Sequence, residues 1–502
     1  MNKSDRTAAT LITVLASMMV LIDSTIANVA LPEMKGTLGA TSTQITWVLT
    51  SFTMAEAIFI PLAGYFTLRL GERNLMIYSI IGFVITSALC GQADSLMEIV
   101  FFRILQGMFA ASVIPLSQSI LVQIYPKEER GKAMAIFGIG VMLGPILGPM
   151  LGGIITQHLN WRWVFYVNLP VGCGCLLLIM RYIHVSNRGT ATIDWPTALS
   201  MALGIGLLQM VLSKGNEKNW FDSNLILFST VLCILMLVVF AVRSVTTKSQ
   251  VAPIWLLGDK NLATACLIVS CFAMCTFGVL QLQPMLLQEL LGYPVETSGF
   301  VTAPRGLASA VLLICAAPLM DKIDGRILVF IGLTLNATGV WFMTQYSLEA
   351  DIYWMIFPAM IQGAGMGMVF APLSNIAFTT LPASQVTNGA SLFNLSRTIG
   401  ASIGIALTNT FFSQVKQEEW HSLGGAISPD NPILQQIASQ QGVPVTDPVF
   451  LRQVAGNIEQ QSSMLAFVLT FWLMLFIYIS LIFLLPLFRQ HAPKQESETP
   501  CK

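Results

Sequence analysis

The sequence predicts an all-α polytopic membrane protein with fourteen transmembrane helices, on three observations. Of 502 residues, 54% are hydrophobic and 10% charged, with mean hydropathy +0.70, whereas soluble domains are roughly a quarter charged. Apolar runs of about 20 residues, the length that crosses a bilayer, recur from end to end. Lys and Arg crowd into alternate connections between those runs. Lys+Arg and Asp+Glu both number 26, so there is no basic surplus to neutralise phosphates and nucleic acid is not an expected partner.

The first six spans are predicted at about 10–32, 47–68, 75–91, 96–124, 133–156 and 163–183. The first is too long for a cleaved signal, carries Asp23 and lacks a small-x-small site after it, so it is expected to remain. Two spans follow at about 195–212 and 225–242, then six more at about 263–290, 298–319, 327–344, 352–379, 388–412 and 464–487. An even count puts both termini on one side. With the N-terminus inside, inside segments hold 17 of the 26 Lys and Arg, outside segments 6, and spans 3 (Arg103, Arg305 and Arg397). That bias predicts cytoplasmic termini. Trp47, Trp161, Trp163, Trp195, Trp220, Trp341 and Trp354 lie near span ends, where indole rings favour the headgroup level.

The expected organisation is a six-helix N-terminal half (1–190), two inserted helices (191–250), a six-helix C-terminal half (251–490) and a cytoplasmic tail (491–502). The C-terminal half includes a long outside loop, 413–463, the only long polar connection and a candidate partner surface. Charged turns after the second span (Arg69, Gly71, Glu72, Arg73) and after the tenth (Asp321, Lys322, Asp324, Arg326) echo each other, as in related halves of transporters.

Ionisable groups at membrane depth are costly and mark pathways or pairs. At about 1.5 Å per residue, Asp23 lies roughly 13 Å and Arg103 roughly 10 Å from the outer ends of their spans, at similar depth. Glu56 falls about 14 Å in, and Arg305 and Arg397 sit at middle depths in the second set. Burial disfavours a charged carboxylate and an adjacent arginine favours it, so such a pair can switch with protonation. Asp23 or Glu56 is expected to take up a proton from outside and loosen its pairing with Arg103. A static ion pair holding helices in register is the plainer alternative.

In the fifth span Gly140, Gly144, Gly148 and Gly152 recur every fourth residue, a bare ridge for close helix packing. Pro145 and Pro149 remove helix hydrogen bonds there and invite a bend. No GxxxxGK[ST] loop, HExxH or Ser/His/Asp pattern occurs, so an enzyme is not expected and energy comes from a gradient or a partner. The nine cysteines, mostly in apolar stretches and without zinc spacing, read as small buried residues, and no metal is expected.

Residues 21–32 (LIDSTIANVALP), 103–107 (RILQG), the glycine ridge and 161–170 (WRWVFYVNLP) together resemble the fourteen-span drug/proton antiporter branch of the major facilitator superfamily, nearest its EmrB-type multidrug exporters. The resemblance covers nearly the whole chain. It implies the major facilitator fold and export of amphipathic drugs and toxic compounds from a bacterium across its inner membrane. Protons serve as coupling ion and no cofactor is needed. A periplasmic adaptor and an outer-membrane channel are implied partners, besides the lipid bilayer.

It further implies proton coupling at Asp23 and Arg103, and a transport pathway past Asn28, Gln106, Arg305 and Arg397; Glu56, a coupling candidate from its depth alone, is not a fixed feature of the branch, and a determinant of cation preference is its other reading. The ridge of Gly140, Gly144, Pro145, Gly148, Pro149 and Gly152 becomes a conformational helix, and Arg69, Gly71, Arg73, Asp321 and Arg326 belong to cytoplasmic gating loops. Leu68 stands where the superfamily commonly has Asp. A narrow-specificity exporter of one metabolite or siderophore, a proton-coupled importer, and a membrane receptor or scaffold are the competing readings.

Overall fold

The computed structural model describes residues 3–126, 129–183, 194–247, 253–316, 319, 323–382, 385–425, 428, 430–440 and 442–488. Those residues form helices and no strand. Fourteen long helices follow in order: α1 Lys3–Thr37, α2 Trp47–Leu70, α3 Glu72–Gln92, α4 Leu96–Ile124, α5 Arg130–His158, α6 Asn168–Tyr182 and α7 Trp195–Lys214. Then come α8 Asn224–Thr246, α9 Lys260–Leu290, α10 Val295–Ala316, α11 Gly325–Met343, α12 Ile352–Thr379, α13 Val386–Gly425 and α14 Pro448–Ile482.

By length and composition, 13 of the described helices can cross a membrane. The exception is α13, where Thr387, Asn388, Ser391, Asn394 and Arg397 dilute the apolar run over 40 residues. It occupies the place of the thirteenth expected span, so the structure is consistent with fourteen. The expected boundaries at 190/191 and 250/251, and the tail 491–502, lie outside the described residues.

Helix ends follow local chemistry. Ser95, Asp259, Asp351 and Asp447 cap α4, α9, α12 and α14 by accepting backbone N–H bonds. Gly71 separates α2 from α3 at φ 80°, a conformation side chains rarely tolerate. Within α2, Pro61 sits in a tighter turn, Ile60–Leu62.

The expected long loop 413–463 is corrected. α13 continues to Gly425, α14 begins at Pro448, and Pro432–Gln440 adds a short helix. Apolarity ends near 412, but helix does not. A Lys416–Glu459 ion pair ties the two extensions, and Leu434, Ala438 and Phe450 make a small core beyond them. Two further readings change. Trp161 is a buried ring packed on Phe165 rather than a headgroup anchor, and Cys173 and Cys315 are exposed.

The glycine ridge of α5 meets α1. A β-carbon on Gly140 would lie 2.6 Å from Val14 Cγ1, one on Gly144 2.6 Å from Leu21 Cβ, and one on Gly152 2.9 Å from the Ile26 carbonyl oxygen. One on Gly148 would overlap Thr25 Oγ1. Backbone therefore lies nearly against backbone, and α5 runs unbroken through Pro145 and Pro149.

Helices from the two ends of the chain meet at the end that carries the N-terminus. Asn394 Nδ2 donates to Gln118 Oε1 at 2.6 Å, the Ser119 and Thr387 hydroxyls lie 2.6 Å apart, and Ala135 packs with Leu313, Met368 and Ala371. At the far end, the apolar cluster around Ile26, Val48, Ile99 and Phe165 draws on no residue beyond 167.

The pair α7–α8 lies to the side. Asp194 accepts from Arg243 Nη2 at 3.1 Å and from Thr197, and that hydroxyl first, then Arg243, holds its carboxyl below the usual carboxylate range. A lowered carboxyl contributes stability above its ordinary range and loses it only as acid titrates the lowered value, so this tie persists at neutral pH. At the far end Lys214 Nζ donates to Thr46 Oγ1 (2.7 Å) and Glu217, and Trp220 Nε1 to Thr410 Oγ1 (3.0 Å). Phe228, Val231 and Leu235 of α8 stay exposed, the face expected toward lipid.

Candidate functional site

The expected Asp23–Arg103 pairing is present as a buried cluster between α1, α4 and α6. Arg103 Nη1 donates to Asp23 Oδ2 at 2.6 Å, with both side chains 0% exposed. The same nitrogen lies 2.8 Å from Gln106 Oε1, and Arg103 Nε donates to the Val48 carbonyl oxygen at 3.1 Å. Asp23 Oδ1 accepts from Gln106 Nε2 at 3.0 Å and from Asn168 Nδ2 at 2.6 Å. The Phe52 ring lies 4.2 Å from the guanidinium carbon, adding a cation–π contact. Gly107 lets α4 approach so closely, since a β-carbon there would lie 3.1 Å from Ala55 Cβ and 3.2 Å from Glu56 N.

Sequence reasoning gave Asn168 no role, nor Ser87, which accepts from Asn168 Nδ2 at 3.0 Å and donates to the Phe165 carbonyl oxygen at 2.8 Å. The available signal was an amide inside the WRWVFYVNLP run. Asn28, expected in the pathway, is exposed on α1 and stands apart from the cluster.

Glu56 also stays outside the hydrogen-bonded cluster. It is half-buried on α2 and, among the described residues, makes no side-chain hydrogen bond or ion pair. Ala57 and Ile58 beside it pack with Leu395 and Ile399 of α13, and the charges around it are those of Arg397, Arg103 and Asp23. Arg397, half-buried on α13, keeps its Nε buried without a partner.

Arg305, 1% exposed on α10, donates to Gln283 Oε1, while its Nε and Nη1 find no partner and no carboxylate pairs with it among the described residues. Gly363 of α12 lies against the backbone of Arg305, where a β-carbon would come 2.6 Å from the carbonyl carbon. Arg305 and Arg397 line one cavity of about 40 Å³ with Leu21 and Pro145 from one side and Phe272 and Phe370 from the other. A wider hollow of about 430 Å³ lies beyond, around Asn409, Phe412 and Trp420. Asn409 is about 18 Å along α13 from Arg397 at 1.5 Å per residue.

The turn residues stay local. Arg69 Nη1 donates to Tyr65 Oη at 2.9 Å, Arg73 Nη2 to the Met180 carbonyl oxygen at 2.9 Å, and Arg326 lies 3.9 Å from Asp324, while Asp321 is outside the described residues. Beside them runs a chain that sequence reasoning missed. Glu72, 3% exposed, accepts from Gln123 Nε2 at 2.8 Å; that nitrogen also lies 3.0 Å from Ser119 Oγ, and Ser119 meets Thr387. Thr387→Val is expected to remove about 0.5–1.5 kcal/mol of closure at this end, read as faster hydrogen–deuterium exchange in peptides covering 118–124 and 386–394. Unchanged exchange there contradicts a closing role.

The Major Facilitator Superfamily profile matches residues 13–405. Multidrug export protein EmrB of Haemophilus influenzae is 35% identical over 464 residues, covering 91% of each chain. Fatty acid resistance protein FarB of Neisseria gonorrhoeae is 35% identical over 454 residues, 89% of each. Among solved structures, the human organic anion transporter MFSD10 superposes with TM-score 0.61 over 94% of this chain and 99% of its own, at 13% identity, a likeness of fold alone.

Proposed function

The chain belongs to the major facilitator superfamily, and from that premise we propose that it exports amphipathic compounds in exchange for protons. It is a transporter rather than an enzyme. The observation that carries the reading is the cavity lined from both sides of the bundle, with apolar walls and two arginines, one wall of it formed by Leu21 of α1, the helix that also carries the buried Asp23. A ligand there touches helices from both halves, so binding can alter how the halves meet. Drug-sized sites occupy roughly 300–1,000 Å³, so the present space of about 40 Å³ is a contracted state, with the halves joined at the terminus-bearing end.

Arg305 without a carboxylate favours anions among the amphipathic substrates, because a guanidinium and a carboxylate or sulfonate pair strongly when desolvated. A relative named for fatty acid resistance supports that preference, and one named for multidrug export supports breadth. Lys and Arg distribution supports cytoplasmic termini in a bacterial inner membrane, and the resemblance to EmrB-type exporters supports an adaptor and outer channel as partners. About 100 mV contributes roughly 2.3 kcal/mol per proton and one pH unit roughly 1.4 kcal/mol. One proton thus supports a gradient of roughly several hundredfold in a neutral compound.

The test is accumulation in cells stripped of their own exporters. Cells expressing the protein should hold several-fold less 8-anilinonaphthalene-1-sulfonate (ANS) than control cells, an uncoupler should remove the difference, and Arg305→Gln should lose more of the anion's export than of ethidium's. Equal accumulation with and without the protein, for both probes, overturns the reading.

A further inference from the structure

The exchange proposed above needs a group that gains and loses a proton during the cycle, and the two buried acids differ sharply in fitness for it. Asp23 is fully engaged. It accepts from Arg103 at 2.6 Å, Gln106 at 3.0 Å and Asn168 at 2.6 Å, with 0% of its side chain exposed. Adding a proton there would dismantle the ion pair and leave Arg103 charged among neutral groups, a costly state in a closed interior. Glu56 carries no such obligations, because the residue is half-buried and its carboxyl makes no side-chain hydrogen bond or ion pair among the described residues. It can change charge without breaking a bond.

Its position gives that change a consequence. The charged groups around it are Arg103 and Asp23, which already neutralise each other, and Arg397 on α13. Arg397 in turn keeps a buried Nε without a hydrogen-bond partner, and Ala57 and Ile58 beside Glu56 share an apolar cluster with Leu395 and Ile399 beside Arg397. α2 and α13 belong to opposite sides of the bundle and already touch at the terminus-bearing end, where a β-carbon on Gly64 would come 2.8 Å from Asn388 Cγ.

We infer that Glu56 is the group that takes up and releases the coupling proton, that Arg397 senses its charge across the two halves, and that Asp23–Arg103 is a fixed positioning pair. Ionised Glu56 draws α2 and α13 together at mid-depth, and protonated Glu56 releases them. The proton goes onto a Glu56 carboxylate oxygen from water on one side and leaves to water on the other, with no bond to carbon made or broken. This rests on the proton-exchange reading and narrows it to one acid.

The experiment uses full-length protein in liposomes with ANS as probe and two readouts: ANS counterflow, which needs no net proton movement, and ANS-driven proton flux. Glu56→Gln should keep counterflow within about twofold and lose roughly tenfold or more of the proton flux, Glu56→Asp should restore part of that flux, and Arg397→Gln should lower flux while Arg397→Lys retains more. Asp23→Asn should lose counterflow and flux together. Wild-type flux in Glu56→Gln, or an Asp23→Asn variant that keeps counterflow but loses flux, overturns the assignment while leaving proton exchange standing. Counterflow without proton flux in the wild type itself overturns both.

Discussion

Asp23→Ala is expected to destabilise the protein by about 3–5 kcal/mol, the cost of leaving a buried charge without its partner. The loss is concentrated because one carboxylate serves three donors on two other helices. Without it, the Arg103 guanidinium retains only the Gln106 amide oxygen and the Val48 carbonyl oxygen, while Gln106 Nε2 loses an acceptor and Asn168 Nδ2 keeps only Ser87. Thermal unfolding of purified protein in detergent reads the effect. Adding Arg103→Met to Asp23→Leu should recover part of the stability, since removing both charges costs less than stranding one. A single variant as stable as wild type would contradict the positioning role given to this pair.

Gly363→Ala is expected to disable transport and to cost about 1–3 kcal/mol, as overpacking of a tight contact does. The added carbon would overlap the Arg305 backbone rather than a mobile side chain, with the Arg305 Cα at 2.8 Å, so α10 and α12 must separate and Arg305 must leave the cavity wall. Gly153→Ala on α5 is the matched control, because nothing lies within 4 Å of its β-carbon position. There the gain in helix propensity, about 1 kcal/mol, meets no clash. Melting temperature and ANS counterflow should fall together in the first variant and hold in the second; equal behaviour of the two would contradict the packing account.

What was legible in the sequence shares a physical cause. Depth along a helix follows from residue number, so Asp23 and Arg103 could be matched in height, and the structure joins them at 2.6 Å. The four-residue glycine period fixes a face, and that face meets α1. What was not legible depends on partners distant in the chain. Asn168 reaches Asp23 across 145 positions and Ser119 reaches Thr387 across 268, so periodicity says nothing about either. The extensions of α13 and α14 were missed because hydropathy marks where apolar sequence stops, whereas an ion pair and a small core keep those helices going. Glu56 and Arg397 were each visible as charges at membrane depth, but that α2 packs beside α13 at their level was not.

Proton exchange itself is tested most directly in liposomes containing purified wild-type protein and an interior pH dye, preloaded with ANS and diluted into probe-free buffer. Outward movement of ANS through the protein should bring protons inward, acidifying the interior, and an imposed inward proton gradient should drive ANS against its own gradient. ANS movement accompanied by no pH change, or by protons travelling in the same direction, would contradict an exchanging transporter.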